Sequence, residues 1–382
     1  MDFALTMEQK MIKESTKKCM KQLEPLLNLY EPSQPWPKEL ILQILQGIVP
    51  LGALGSMIPE DVGGGGMDCL SWGIVYEHLD SRIDNVVHLM TVVTNAIYES
   101  GTSEQKELYL KRLLDAEIIG CYAITEPNVG SNPSAIETKA MLEGDYYRLN
   151  GSKLFITNGD IADIAIVIAS TDKSKGGKGL SRFIVDRGES PFTSRPIPTI
   201  IGNSVVAELS FEDCLVPKKN LLGKEGEALN VTLKTLQVGR CIVACEAVKL
   251  AQEAVDYSIQ YAKERRQFGK PIGSFQLIQA KIAEMIAETE AARLLAYRAL
   301  WLLDKDPKNS VTACSLAKFY ATEAAVGVTS KAIQIHGAYG LSCEYPLEEL
   351  FRRARLTTIP DGTSEIQKLI VGREVLGINA FA

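Results

Sequence analysis

Tyr146-Tyr147-Arg148-Leu149-Asn150-Gly151-Ser152-Lys153-Leu154-Phe155-Ile156 is a run of β-formers split by a turn dipeptide. Asn-Gly between such residues is a strong short-range hairpin signal. Asp163 to Ala169 is β-branched and nearly continuously apolar, as in a buried strand. Leu180 to Asp186 and Glu208 to Phe211 also read as strands, and Lys173 to Gly179 as a solvated loop. Pro191, Pro196, Pro198 and Pro217 punctuate the region as strand ends and turns do.

On both sides the period changes. Leu40, Ile41, Ile44 and Leu45 recur at helical steps, after Pro32, Pro35 and Pro37 break the preceding pattern. Thr102, with Gln105 three residues on, has the form of a capping box. Gly63 to Gly66 read as a connection, because they do not follow a strand with phosphate-loop spacing. Beyond Glu227 the helical period returns, with Ile278, Ile282, Met285 and Ile286 on one face. The expected organisation is a multidomain α+β chain: helical over 1–118, β over 119–226, and a bundle of four long helices over 227–382.

The 382 residues are 46% hydrophobic and 23% charged, ordinary values for a globular protein. A net charge of −6 offers no basic face, so nucleic acid is not an expected partner. No run of about 18 apolar residues marks a membrane span. Eight scattered cysteines and no export signal point to a reducing cytoplasm. The three histidines are far apart, so no metal is expected. Walker, nucleophile-elbow and Rossmann patterns are absent, which disfavours a nicotinamide site. Three polar clusters remain: Thr125-Glu126-Pro127 with Gly130-Ser131, Glu264 to Pro271, and Ile359 to Glu365. In the last, Thr363 can cap a helix whose N-terminus suits an anion or a polarised ring.

Together these clusters resemble the acyl-CoA dehydrogenase family of flavoproteins. The segments are Tyr122-Ala123-Ile124-Thr125-Glu126-Pro127-Asn128-Val129-Gly130-Ser131, Leu154-Phe155-Ile156-Thr157-Asn158-Gly159, Arg265-Arg266-Gln267-Phe268-Gly269, Gln334-Ile335-His336-Gly337-Ala338-Tyr339-Gly340 and Asp361-Gly362-Thr363-Ser364-Glu365-Ile366-Gln367. The resemblance implies an N-terminal helical domain, a middle β-barrel-like domain and a C-terminal four-helix bundle. It also implies FAD, usually in a homotetramer. Ile124 and Thr125 are then expected at the flavin ring, Ser131 at the pyrophosphate or the substrate, and Phe155 and Thr157 beside the isoalloxazine. Arg265, Phe268 and Gln276, with Gln334 and Gly337, are expected to reach the FAD of a neighbouring subunit. Thr363 and Glu365 are expected to hold the adenine-side half of FAD. Gln237, Arg240 and Gly362 are expected at the acyl thioester, with His88, Met90 and Thr91 as pocket candidates.

The implied reaction is oxidation of an acyl thioester. A carboxylate removes the α-proton, a β-hydride leaves for flavin N5, and electrons pass to an electron-transfer flavoprotein. The usual base is a glutamate directly before Gly-Thr; here the position is Asp361, preceded by Pro360. One methylene fewer withdraws the carboxylate by about 1.5 Å, while a misplacement of about 1 Å costs on the order of 100-fold in rate. The alternative position for the base in this family, on the helix containing Gln237 to Arg240, is Gly239 here, which closes that route. The expected substrate is a short, branched or cyclic acyl-CoA. Alternatives are a dehydrogenase of carrier-protein thioesters, an enoyl-CoA reductase, a nitroalkane-oxidase-like enzyme and a non-catalytic partner subunit.

Overall fold

A computed structural model describes residues 4–29, 34, 36–201 and 205–380. Along the chain run helices α1 (Met7–Leu27), α2 (Lys38–Ile48), α3 (Cys69–Glu77), α4 (Asp84–Ser100) and α5 (Ser103–Leu114). Strands β1 (Gly120–Ala123), β2 (Lys139–Glu143), β3 (Tyr146–Thr157), β4 (Ile164–Ser170), β5 (Leu180–Asp186), β6 (Thr193–Pro196) and β7 (Val206–Pro217) follow. Helices α6 (Ala228–Glu264), α7 (Gln276–Lys305), α8 (Ser310–His336), α9 (Leu347–Thr357) and α10 (Ser364–Leu376) complete it. The chain packs as two compact units, 1–68 with 82–235, and 69–81 with 236–382.

In the first unit the sheet order is β1-β4-β2-β3-β7-β6, with β5 on β4. β1 and β4 pair in parallel, and β5 runs antiparallel to β4. Every residue of β4 is buried, which is why its sequence is continuously apolar rather than alternating. The sheet core holds Tyr147, Leu149, Phe183 and Phe211, with the Tyr147 and Phe183 rings 4.8 Å apart. Helix α4 seats on β1 where Gly120 has no side chain: a Cβ there would meet Val93 Cγ1 at 2.6 Å. The Thr102–Gln105 capping box forms at the start of α5, with bonds of 3.2 and 3.0 Å.

Several expectations change. Asn150-Gly151 is not the hairpin turn. It lies inside β3, and the turn to β2 falls at Gly144-Asp145. At Asn150-Gly151 the register against β7 slips, so the dipeptide makes a bulge. Asn150 exchanges hydrogen bonds with Asp213, and a Cβ on Gly151 would sit 2.5 Å from Thr138 Oγ1. Glycine is needed there for close approach, not for chain reversal. Pro37 precedes α2 as expected, while Pro32 and Pro35 lie outside the described residues.

Among the described residues the second unit holds three long helices, α6, α7 and α8, and three shorter ones, α3, α9 and α10, so its helical domain has three long helices where four were expected. The Thr358–Thr363 loop separates α9 from α10 and carries Asp361. On α7, Met285 is buried but Ile286 is 42% exposed, so the expected apolar face is only partly covered. Helix α3 is fixed to α7 by charge: Glu77 accepts from Arg293 Nε at 2.9 Å and from Tyr297 Oη at 2.7 Å. All eight cysteines are free, and only Cys343 is exposed. Among the described residues no helix is long and apolar enough to cross a membrane.

Candidate active site

The first unit brings four of the expected residues to one end of its sheet. β1 ends at Ala123, which places Ile124 and Thr125 just beyond it. β3 slips register a second time between Lys153 and Ile156. In that bulge Leu154 N donates to Thr125 O at 2.8 Å, so the two segments are joined by backbone. Phe155 has φ +56° and a ring 58% exposed. A bulky residue in the left-handed region is a true outlier, and such strain concentrates at functional sites. Thr157 closes β3, half-buried. Gly130 and Ser131 are exposed, and none of the described residues comes within 4 Å of a Cβ built on Gly130.

Beneath these residues lies a buried ion pair. Lys153 Nζ donates to Glu126 Oε1 at 2.7 Å and to Ile124 O at 3.0 Å, with Lys153 0% and Glu126 2% exposed at the side chain. Glu126 also accepts from Glu137 N and from the backbone and hydroxyl of Thr138. Burial pushes the Glu126 carboxyl up, but Lys153 and these donors outweigh it and hold it below the ordinary value. Burial lowers Lys153 to about 8, against the pull of Glu126.

Met90 and Thr91 are buried and bonded within the first unit. Thr91 Oγ1 donates to Ala53 O and Val87 O, and the Met90 sulfur accepts from Gly120 N–H at 3.3 Å. His88 is likewise buried, 8% exposed.

In the second unit the Asp361 loop is clamped from two helices. Asp361 has φ +55°, in the left-handed region that aspartate tolerates. Its carbonyl accepts from Arg240 Nε on α6 at 3.2 Å and from Gln367 Nε2 on α10 at 3.0 Å. Gln367 donates equally to Gly362 O, and a Cβ on Gly362 would meet its Nε2 at 2.6 Å. Thr363 caps α10 by accepting from Ile366 N–H, as its sequence position predicts. The free N–H groups there and the Thr363 hydroxyl hold the exposed Glu365 carboxyl below its ordinary value. Arg240 is 6% exposed; burial lowers its pKa while the charge of Asp361 raises it. Gln237 lies half-buried almost one turn earlier on α6.

The remaining expected residues of this unit are exposed. Arg265 leads into a two-stranded ribbon (266–267 with 270–271) whose tip carries Phe268 at φ +51° and 91% exposed. Gln276 opens α7, and Gln334 and Gly337 close α8. Arg265 stands 5.6 Å over the Tyr339 ring, which links the ribbon to the segment after α8.

Sequence reasoning passed over Lys318. It is fully buried on α8, and among the described residues its Nζ has no hydrogen-bond partner. Burial lowers it to about 8, opposed by Asp361, Glu323 and Glu365 and reinforced by Arg240. The only available signal was a lone lysine in an Ala-rich helical run. The depressed pKa fixes a sign. Below about pH 8 the folded chain carries the buried charge and its cost. Between about 8 and 10.5 the unfolded chain still binds the proton that the folded chain has lost, so stability rises with pH. Lys318→Met should therefore flatten the pH dependence of the unfolding free energy over that window by up to about 1.4 kcal/mol per pH unit. Denaturant titration of both proteins from pH 7 to 10 measures it; parallel profiles would reject the assignment.

The chain matches the acyl-CoA dehydrogenase N-terminal domain over 6–117, the middle domain over 121–214 and the C-terminal domain over 226–376. It belongs to the acyl-CoA dehydrogenase family. It is 37% identical over 382 residues to a short-chain-specific acyl-CoA dehydrogenase of Clostridium acetobutylicum, covering 98% of this chain and all of that one. It is 40% identical over 359 residues to the caffeyl-CoA reductase–Etf complex subunit CarC of Acetobacterium woodii, covering 92% of this chain and 93% of that one. The butyryl-CoA dehydrogenase structure from Megasphaera elsdenii superimposes with a TM-score of 0.91 at 37% identity, covering 98% and 100% of the two chains.

This acyl-CoA dehydrogenase family member is an FAD-dependent oxidoreductase, and its residues fit that cofactor. An isoalloxazine needs a flat apolar wall, which the exposed Phe155 ring offers. A pyrophosphate needs hydroxyl, backbone and arginine donors, and Ser131, the open Gly130 backbone and Arg265 are of those types.

Proposed function

We propose that this enzyme interconverts a short acyl-CoA and its α,β-unsaturated thioester, with Asp361 as the base at the α-carbon. The position of the Asp361 carboxylate carries the reading: it lies directly against Gly239 of α6. By the family resemblance Gly239 stands where the helix base of other members is rooted, so the loop aspartate meets α6 at that same position. The fixed carbonyl of Asp361 leaves only its side chain free to meet substrate. FAD, when bound, supplies the acceptor for the hydride. The chain's own contribution is to take the α-proton at Asp361 and to hold the thioester arm near Gln237, Arg240 and Gly362.

Ile124, Thr125, Phe155 and Thr157 are proposed to face the ring, and Ser131 the pyrophosphate or the substrate. Arg265, Phe268, Gln276, Gln334, Gly337, Thr363 and Glu365 are proposed to serve the remainder of FAD within a homotetramer. An electron-transfer flavoprotein is the proposed electron partner, in line with the Etf complex in the name of the CarC relative. That relative's name also favours a second reading, reduction of the unsaturated thioester.

Anaerobic titration of the holoenzyme with butyryl-, isobutyryl- and isovaleryl-CoA tests the proposal. Flavin bleaching by at least one supports it; none by any thioester, saturated or carrier-bound, would sink it. Reoxidation of dithionite-reduced enzyme by an enoyl-CoA faster than bleaching by the saturated partner identifies the reductive direction.

Phe155 gives a separate prediction. Glycine adopts φ +56° freely, so Phe155→Gly should stabilise the apoprotein by roughly 1 kcal/mol. The same change removes the apolar wall and should weaken FAD binding about tenfold or more. Thermal midpoints with and without FAD, and FAD titration of the apoprotein, read the two effects. Changes in the same direction would refute a flavin-facing role.

A further inference from the structure

The shorter base raises a problem of reach, and the helix opposite it answers. Gly239 is buried on α6. A Cβ built there would fall 2.3 Å from Asp361 Oδ2 and 3.1 Å from its Cγ. The first distance is far inside van der Waals contact, so any side chain at 239 forces something to move. The loop backbone cannot easily yield. The Asp361 carbonyl is held by Arg240 and Gln367, and Gly362 lies tight against the same Gln367 amide. The α6 backbone is equally fixed, because Cys241 and Ile242 just beyond it are fully buried. What remains is the carboxylate, which rotates about two side-chain torsions.

We infer that Gly239 is a positioning residue: its missing Cβ is the seat that sets where the Asp361 carboxylate stands. The pair acts as one unit, in which a loop drawn against α6 and a helix residue without a side chain together replace the methylene that aspartate lacks. A clamped carbonyl with a left-handed φ directs the side chain toward the helix, and only glycine leaves room for it. The inference rests on Asp361 being the base, and its test separates the two.

Gly239→Ala adds one methyl group within a long helix, where alanine is the better helix former. Loss of fold is therefore not the expected consequence, and the thermal midpoint of the holoenzyme should hold or rise. The displaced carboxylate should lower kcat for bleaching by the best thioester on the order of 100-fold, with KM and the resting flavin spectrum unchanged. Exchange of the thioester α-proton with deuterated solvent should fall in parallel. Asp361→Asn and the double variant Gly239→Ala/Asp361→Asn complete a cycle. If the glycine acts through the carboxylate, the alanine costs nothing further once the carboxylate is gone.

Each outcome has one meaning. A Gly239→Ala rate within threefold of wild type, with Asp361→Asn severely impaired, overturns the positioning role and leaves the base intact. A near-wild-type Asp361→Asn enzyme overturns the base and the inference with it. Penalties that add in the double variant mean the methyl group acts elsewhere, on substrate or fold, and also overturn the inference.

Discussion

Asp361→Asn should lower thioester-driven flavin reduction by a factor on the order of 10² to 10⁴, the range for loss of a general base. The variant isolates chemistry from folding. Asparagine matches aspartate in shape and tolerates the left-handed backbone at φ +55°. The hydrogen bonds that hold the loop end on the carbonyl of residue 361 and on Gly362 O, not on the side chain. Arg240 and Gln367 should keep their partners, so FAD content, thermal midpoint and KM should stay close to wild type. Asparagine cannot accept the α-proton, so exchange of that proton with deuterated solvent should vanish together with bleaching. Asp361→Glu should retain activity, because the carboxylate remains and gains reach; the added methylene (about 1.5 Å) must pass over the Gly239 seat. Asp361→Asn turning over within threefold of wild type would move the base elsewhere and leave the seated carboxylate a structural feature.

The layers of this fold were readable because each leaves a local mark. Thr102 and Gln105 announce α5 through two reciprocal bonds within four residues, and both form. β4 is buried throughout, so its apolar run needs no partner to be recognised. Asn150-Gly151 misled because one dipeptide serves two purposes. Glycine was required by the approach of Thr138, thirteen residues upstream in the chain, and no local pattern records that contact. Thr91 is buried, and its hydroxyl donates to Ala53 O and Val87 O, contacts that no sequence pattern records. Asp361 was found by its motif, but the reason it can work there is not in the motif. That reason is Gly239, 122 positions away, together with a glutamine amide that holds the loop by its backbone. Lys153 and Lys318 were invisible for a related cause. A buried lysine looks like a surface lysine until the partners around it are known.

Lys153→Met should be the most destabilising substitution proposed here, at about 3–5 kcal/mol, the cost of removing one member of a buried pair. The lysine stem packs as methionine does, so the loss is one of charge, not volume. Glu126 keeps three donors from Glu137 and Thr138 but loses the cation that, together with them, outweighed its burial. Burial, the largest influence on it, is then opposed only by those donors, so its pKa should rise, which reverses a sign. In the wild type the lowered Glu126 contributes stability that is present at neutral pH and lost as the pH falls through its folded value. In the variant a raised Glu126 favours the fold in acid, so the deficit should narrow as the pH falls from 7 toward 5. Lys153→Met/Glu126→Gln removes the stranded charge and should recover at least half of the loss, because a neutral pair avoids the uncompensated carboxylate. The site should feel the change too. Lys153 also holds Ile124 O, one residue before Thr125 and beneath the bulge that presents Phe155. FAD should dissociate more readily from Lys153→Met than from wild type at equal stability, for instance when the variant is compared with wild type in mild urea. A variant as stable as wild type at pH 7 would show that the pair adds nothing, while lost stability with wild-type FAD affinity would confine its role to the fold.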